Sequence, residues 1–164
     1  MKKRFFLLPV ILAAAILMGG YQRFQPVPPP PPLPEAPLST LYFSESASYY
    51  KRIQGFEFRH EDGKDTAYFY MANEEEPHPV QVDQAWAETL TGFISQYGMM
   101  SWDGFSGNAP GLLDGTHFSI NFTFADGTSV HAGGYGSFPA NYGVASSAIE
   151  THFMQLLPED MRTW

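Results

Sequence analysis

Four Asp-Gly dipeptides are candidate calcium-binding residues, because Asp and Gly are frequent in calcium-binding loops. They are Asp62-Gly63, Asp103-Gly104, Asp114-Gly115 and Asp126-Gly127. A calcium loop needs carboxylates at alternate positions of one short segment, and no D-x-D-x-D-G spacing occurs. Asp tolerates turn geometry and Gly supplies a positive φ, so the dipeptides predict tight turns and no metal site.

A glycine-rich stretch, "GGYGSFP" at residues 133–139, precedes a predicted helix. Such a loop can hold a phosphate at the helix N-terminus. The stretch has neither a G-x-G-x-x-G nor a GK[ST] pattern, and the acidic balance of the chain opposes an anionic ligand. We therefore interpret it as the path of the chain from strand to helix, and we expect no cofactor.

The histidines and serines show no recognisable catalytic or metal-binding spacing. No H-x-x-x-H pair, zinc-finger spacing or G-x-S-x-G elbow occurs. A Ser/His/Asp triad or a pair of carboxylates whose members lie far apart in sequence stays open. No catalytic residue and no metal ligand is predicted among the histidines, which are His60, His78, His117, His131 and His152.

An aromatic patch is the remaining candidate site. It consists of Trp102, Asp103, Phe105, Tyr135 and Tyr142. Aromatic planes beside short polar side chains suit stacking on a sugar or contact with a peptide. In the alternative interpretation, which we favour, the rings close one end of the core and their polar atoms reach backbone groups. The patch is still the first surface to test for binding.

Two predicted hairpins must position these residues. The Asp62-Gly63 turn predicts a two-residue hairpin with one apolar face. Its predicted pairs are Glu61 with Lys64, His60 with Asp65, Phe56 with Phe69, and Phe58 with Ala67.

The second hairpin follows from the alternation in "HFSINFTF", residues 117–124. A three-residue loop over 125–127, with Gly127 left-handed, keeps the apolar residues of both strands together. This register pairs Phe122 with Val130, Ile120 with Ala132, Asn121 with His131, and Thr123 with Ser129.

Two amphipathic segments predict helices over about 83–97 and 141–157. Gly98 is a natural stop for the first, and Asn141 is a candidate cap for the second. A short strand is predicted near Met99–Trp102. The expected fold is α+β, an antiparallel sheet of five to six strands with two helices packed on one face.

The charge balance argues against nucleic-acid binding. The formal net charge is -8, and only six of the nine Lys and Arg residues lie beyond the first four positions, against 17 acidic residues. An acidic surface repels phosphate backbones. The chain has no cysteine, which excludes disulfides, cysteine nucleophiles and thiolate metal sites.

The N-terminal segments predict export. Residues 1–20 have three basic residues followed by an apolar run over 5–18, which is typical of a signal peptide or an uncleaved membrane anchor. Residues 21–37 are rich in proline and are predicted to form an extended stalk, or alternatively a ligand for a proline-recognition domain. Residues 38–164 are expected to form one globular domain.

The stretch from Trp102 to about Phe153 resembles a segment of small exported, lipoprotein-like proteins of Gram-positive gut bacteria. The matching residues are "WDGF", the Asp-Gly hairpin and "FPANY". The resemblance implies no activity, since the group has none assigned. Tyr21 stands where the lipidated cysteine of such proteins would be, so the chain departs from the pattern there.

Together these features predict an extracytoplasmic, non-enzymatic binding or structural domain, secreted or held at the outer face of the cytoplasmic membrane. Its expected partner is a cell-envelope component or another protein, with no nucleic acid. The alternative is a small cell-envelope hydrolase that uses dispersed Asp, Glu, Ser or His residues. A deep pocket with several titratable groups would favour the hydrolase.

Overall fold

The computed structural model of the chain describes residues 29–46, 53–112 and 114–162. Over these residues a seven-stranded sheet and two α-helices form a mixed α+β fold, so the predicted class is confirmed. The elements are β1 (Leu38–Ser46), β2 (Ile53–Glu61), β3 (Lys64–Met71), β4 (His78–Val82), α1 (Gln84–Gln96), β5 (Ser106–Asn108), β6 (His117–Phe124), β7 (Ser129–Tyr135) and α2 (Tyr142–Met154). The strand order is β4-β3-β2-β1-β6-β7-β5.

The first hairpin, β2–β3, has the predicted register. Phe56 pairs with Phe69, and His60 pairs with Asp65. Asp62 and Gly63 form the turn with φ of 52° and 71°. Two successive positive φ angles match the twist of the flanking strands, which is why Asp-Gly is favoured there.

The second hairpin, β6–β7, also has the predicted register. Phe122 pairs with Val130, and Asn121 pairs with His131. Gly127 has a φ of 87°, and its amide donates to the carbonyl of Phe124. The three-residue loop is therefore confirmed, and the apolar residues of both strands lie on one side of the sheet.

Both predicted helices are present. Asp83 accepts a hydrogen bond from the amide of Trp86 at the start of α1, and Gly98 follows the helix with a φ of 67°. Asn141 stands at the N-cap of α2, but the prediction that it caps the helix is wrong, because its side chain makes no capping bond. Instead its amide nitrogen donates to the carbonyl of Tyr97 at 3.3 Å, which ties α2 to the end of α1.

The predicted number of strands, five to six, is wrong, because the sheet has seven. The edge strand β4 contains Pro79, which an edge position tolerates but which weakens a strand pattern in sequence. The strand β5 is only three residues long and pairs parallel with β7, so the sheet is not purely antiparallel.

The predicted strand at Met99–Trp102 is a 3₁₀ helix. The left-handed Gly98 redirects the chain directly into another helical turn. Met99 and Trp102 are three residues apart, the repeat of a 3₁₀ helix, so both side chains point to the same side and are buried.

The core contains the apolar half of each alternating strand and the inner residues of the helices. The ring of Phe153 in α2 lies 5.1 Å from that of Phe56 in β2 and 5.9 Å from that of Phe69 in β3. Trp86 in α1 joins the same group at 5.0 Å from Phe153. One cluster of aromatic rings therefore connects both helices to the sheet.

Residues 29–37 lead into β1 without regular structure. Leu33 and Ala36 are half-buried against the core, and the carbonyl of Pro37 accepts a hydrogen bond from the amide of Ala125 at 2.9 Å. Residues 1–28, with the predicted signal or anchor and the first part of the proline-rich stretch, lie outside the described residues. Among the residues that are described, no helix has the length and apolar character needed to cross a membrane.

Candidate functional site

Two residues of the predicted aromatic patch lie in the core. Trp102 is 2% exposed and donates from Nε1 to the carbonyl of Ala140 at 3.1 Å. Tyr142 is 7% exposed and donates to a carboxylate oxygen of Glu45 at 2.7 Å. Burial, followed by this hydrogen bond, raises the pKa of Tyr142 well above its ordinary value. Trp102 therefore joins its 3₁₀ helix to the loop before α2, and Tyr142 joins the start of α2 to β1.

The other three residues of the patch also make internal contacts. Asp103 is exposed, and its carboxylate accepts from the amide of His131 in β7 at 3.1 Å. The half-buried Phe105 packs with its ring 6.2 Å from that of Phe118. The hydroxyl of Tyr135 accepts from the amide of Gly115 at 3.0 Å. The structure thus brings these residues together as links between neighbouring loops.

A cleft lies at the turn end of the first hairpin. There, segments that are distant in the sequence meet. It has a volume of about 830 Å³ and is open to solvent. Clefts of roughly 300–1,000 Å³ with a mainly apolar lining and a few polar groups are typical of small-molecule sites. Its walls are residues 34–38, the turn end of β2–β3 with Gln81 and Val82, and one side of α1, which presents Gln84, Ala87, Glu88 and Thr91.

The base of the cleft is apolar. Phe58 is 1% exposed and Leu38 is 4% exposed, and both are part of the core. Val82 and Ala87 are half-buried beside them. Because Phe58 and Leu38 expose almost no surface, the half-buried Val82 and Ala87 would supply the apolar contact for a ligand in the cleft.

A histidine and an aspartate form the central polar group of the cleft. The hairpin register places His60 directly opposite Asp65, and His60 Nδ1 lies 2.6 Å from Asp65 Oδ1. Asp65 is 14% exposed at its side chain and His60 is 46% exposed. Because an ionised carboxylate only accepts hydrogen bonds, His60 Nδ1 is the donor in this contact.

A second polar cluster lies on the opposite face of β2 and β3. Arg59 donates to both carboxylate oxygens of Glu57, at 2.7 and 2.8 Å, and Tyr70 donates to the same group. Burial raises the pKa of Glu57, but the bonds from Arg59 and Tyr70 outweigh it, and the net pKa lies below the ordinary value. Burial and the bond to Glu57 raise the pKa of Tyr70 to about 12. Two donors of Arg59 and the hydroxyl of Tyr70 thus converge on Glu57, and these bonds fix side chains across β2 and β3.

Trp86 and His152 stack where α1 and α2 meet. Their ring centroids are 4.3 Å apart with an interplanar angle of 17°, and His152 Nε2 donates to the carbonyl of Trp86 at 3.0 Å. The indole nitrogen of Trp86 is buried and has no hydrogen-bond partner among the described residues. Burial lowers the pKa of His152, and the bond to Trp86 opposes this only in part.

We expect the stability of the protein to fall in acid through His152. Above its ordinary pKa of 6.5 the ring is neutral in both the folded and unfolded states. As the pH falls below 6.5 towards the lower folded value, the unfolded chain binds the proton first, and the free energy of unfolding decreases.

Urea unfolding at pH 7.5 and 5.5 measures this effect. His152→Gln, which cannot titrate, should lose less stability between the two pH values than the wild type. His117→Gln, an exposed histidine in β6, is the control and should behave like the wild type. An equal loss in wild type and His152→Gln would contradict the prediction.

The described residues contain no group of three or more His, Asp or Glu arranged to hold a metal ion. The cleft was missed by sequence reasoning, although the pairing of His60 with Asp65 followed from the predicted hairpin. Residues 34–37 and α1, which complete the cleft, carry no local signal that links them to that pair.

Two comparisons with known proteins give no relative. A scan against protein-family models finds no match, and a search of curated proteins finds no match either. The resemblance to exported proteins of gut bacteria therefore remains a prediction from sequence.

Proposed function

We propose that this chain is an extracytoplasmic, non-enzymatic binding domain, secreted or tethered through residues 5–18, whose ligand occupies the cleft beside His60 and Asp65. The observation that carries the proposal is the cleft itself, which combines a buried apolar base with polar and charged side chains at its rim. The expected ligand is a component of the cell envelope, free or as part of another protein.

In this proposal both helices pack on one face of the sheet. The ring contacts of Phe153 and Trp86 with Phe56, Phe58 and Phe69 support that arrangement. The turn end of β2–β3 and one side of α1 both line the cleft, so the cleft lies between the hairpin and the helical layer.

Residues 34–37, the last part of the proline-rich segment 21–37, form one wall of the cleft. In a tethered protein this wall is the side nearest the anchor. The proposed stalk would therefore place the cleft at the base of the domain, towards the envelope surface.

A second candidate function, the envelope hydrolase, is favoured by the His60–Asp65 pair. A histidine held by a carboxylate can accept a proton from a nucleophile. The only hydroxyl side chain among the residues lining the cleft is that of Thr91, which donates to the carbonyl of Ala87 at 3.4 Å. Since no lining hydroxyl is aligned with His60, a hydrolase here would have to use water as the direct nucleophile. Binding is therefore the better supported function.

Filling the cleft tests the proposal. Ala87→Phe should place a ring over the apolar base and reduce ligand retention at least about tenfold, since the body of the ligand loses its buried contact. The matched control is Ala85→Phe, the same change on an exposed position of α1 that does not line the cleft, and it should retain ligand within about twofold.

Equilibrium dialysis of the full chain against an envelope extract, read by mass spectrometry, measures retention. Compounds kept by the wild type and Ala85→Phe but lost by Ala87→Phe identify cleft ligands. Equal retention by all three proteins would contradict the cleft as the site. Consumption of a retained compound by the wild type but not by His60→Gln would instead favour the hydrolase.

A further inference from the structure

Negatively charged side chains outnumber positively charged ones around the cleft. Three carboxylates line it, those of Glu35, Asp65 and Glu88, against one ammonium group, that of Lys64. His60 adds a positive charge only when it is protonated. The rim therefore stays net negative at neutral pH in either state of His60.

The carboxylates have capacity for another donor. Asp65 uses Oδ1 for His60, and Glu88 accepts from the amide of Gln84 at 2.8 Å. A carboxylate has about four lone-pair positions on its two oxygens, so each group can accept a further hydrogen bond.

From these observations we infer that the cleft selects small amphipathic amines. A short apolar body would lie against Val82 and Ala87, and a protonated amino group would lie at the acidic rim. This inference rests on the proposed binding function and adds the chemical class of the ligand. Charge complementarity disfavours the opposite class, because an anion of the same length would place its charge at a rim where three carboxylates face one ammonium group.

Lys64 does not reverse this preference. The hairpin register places it opposite Glu61, next to the turn, and its side chain is exposed. Glu35 and Glu88 are exposed as well, so Lys64 offsets one of the three carboxylates and leaves the rim net negative. Asp65, in contrast, is 14% exposed at its side chain and is held by His60.

Three probes of equal length, octylamine, octanol and octanoate, test the inference. Each competes with the neutral dye Nile red for the full chain at pH 7 and low salt, below the concentration at which the probe self-associates. Octylamine is protonated at this pH, because primary alkyl amines have a pKa of about 10. It should displace the dye at about three- to tenfold lower concentration than octanoate, with octanol between them, and the gap should narrow in 0.5 M NaCl.

Paired variants locate the effect. Glu35→Gln with Glu88→Gln should bring octylamine close to octanol, while Glu75→Gln with Glu76→Gln removes two exposed carboxylates that do not line the cleft and should leave the order unchanged. Equal displacement by all three probes, or better displacement by octanoate, would overturn the charge preference and leave the binding function standing. Dye binding that none of the probes reduces and that Ala87→Phe leaves intact would overturn the binding function and the inference together.

Discussion

Phe153→Ala should lower the free energy of unfolding by about 3–5 kcal/mol, the usual cost of removing a large aromatic side chain from a packed core. Phe153 is fully buried in α2, and its ring packs against Phe56, Phe69 and Trp86. The surrounding rings belong to two strands and to the other helix, so they cannot move together into the space that the substitution leaves.

Urea unfolding followed by circular dichroism measures this loss. Val144→Ala is the control, since Val144 lies on the same helix with 57% of its surface exposed, and its change should stay within about 0.5 kcal/mol of zero. A loss below about 1 kcal/mol in Phe153→Ala would mean that this ring does not join the helices to the sheet.

The strands that were predicted well from the sequence are those in which apolar and polar residues alternate over many positions. In β6 four apolar residues alternate with polar ones over eight positions, and a slip of one residue would set Phe122 opposite a polar partner. The turn residues Asp62 and Gly63 fix the other hairpin in the same way. Local pattern and turn chemistry agree at these places, so the register was predictable.

The strands that sequence missed are short or interrupted. Pro79 lies inside β4, and β5 has three residues, too few to show a period. Each strand forms one edge of the sheet, where it pairs with only one neighbouring strand. Their pairing is decided by the strands beside them and not by their own residues, which is why no local signal identified them.

The aromatic patch shows a different limit. Residue type cannot tell whether a tryptophan or tyrosine among glycines faces solvent or the core. Trp102 and Tyr142 satisfy their polar atoms through Ala140 and Glu45, contacts that span 38 and 97 positions in sequence. The cleft depends on equally distant segments, of which only the pair His60 and Asp65 followed from a local pattern.

The glycine-rich stretch has a steric explanation that also gives the second large prediction. At Gly134, in β7, the chain passes close to the loop that leads to α2 and to the parallel strand β5. Gly136 follows with a φ of 61°, which turns the chain away from the sheet. The glycines therefore allow a crossing of three backbone segments, in agreement with the interpretation as a path from strand to helix.

Gly134→Ala should lower the free energy of unfolding by about 1–3 kcal/mol, the usual cost of overpacking. The added Cβ would lie 2.4 Å from the carbonyl oxygen of Ser137, 2.8 Å from the ring of Phe118 and 3.2 Å from the carbonyl oxygen of Gly107, and two of these are backbone atoms. The control is the same substitution at Gly92, in the middle of α1 with nothing within 4 Å, which should raise stability by up to about 1 kcal/mol. Urea unfolding of both variants measures the two changes. Equal stability of Gly134→Ala and the wild type would show that the Ser137 carbonyl does not lie against β7, since the sign of the change at Gly134 depends on that contact.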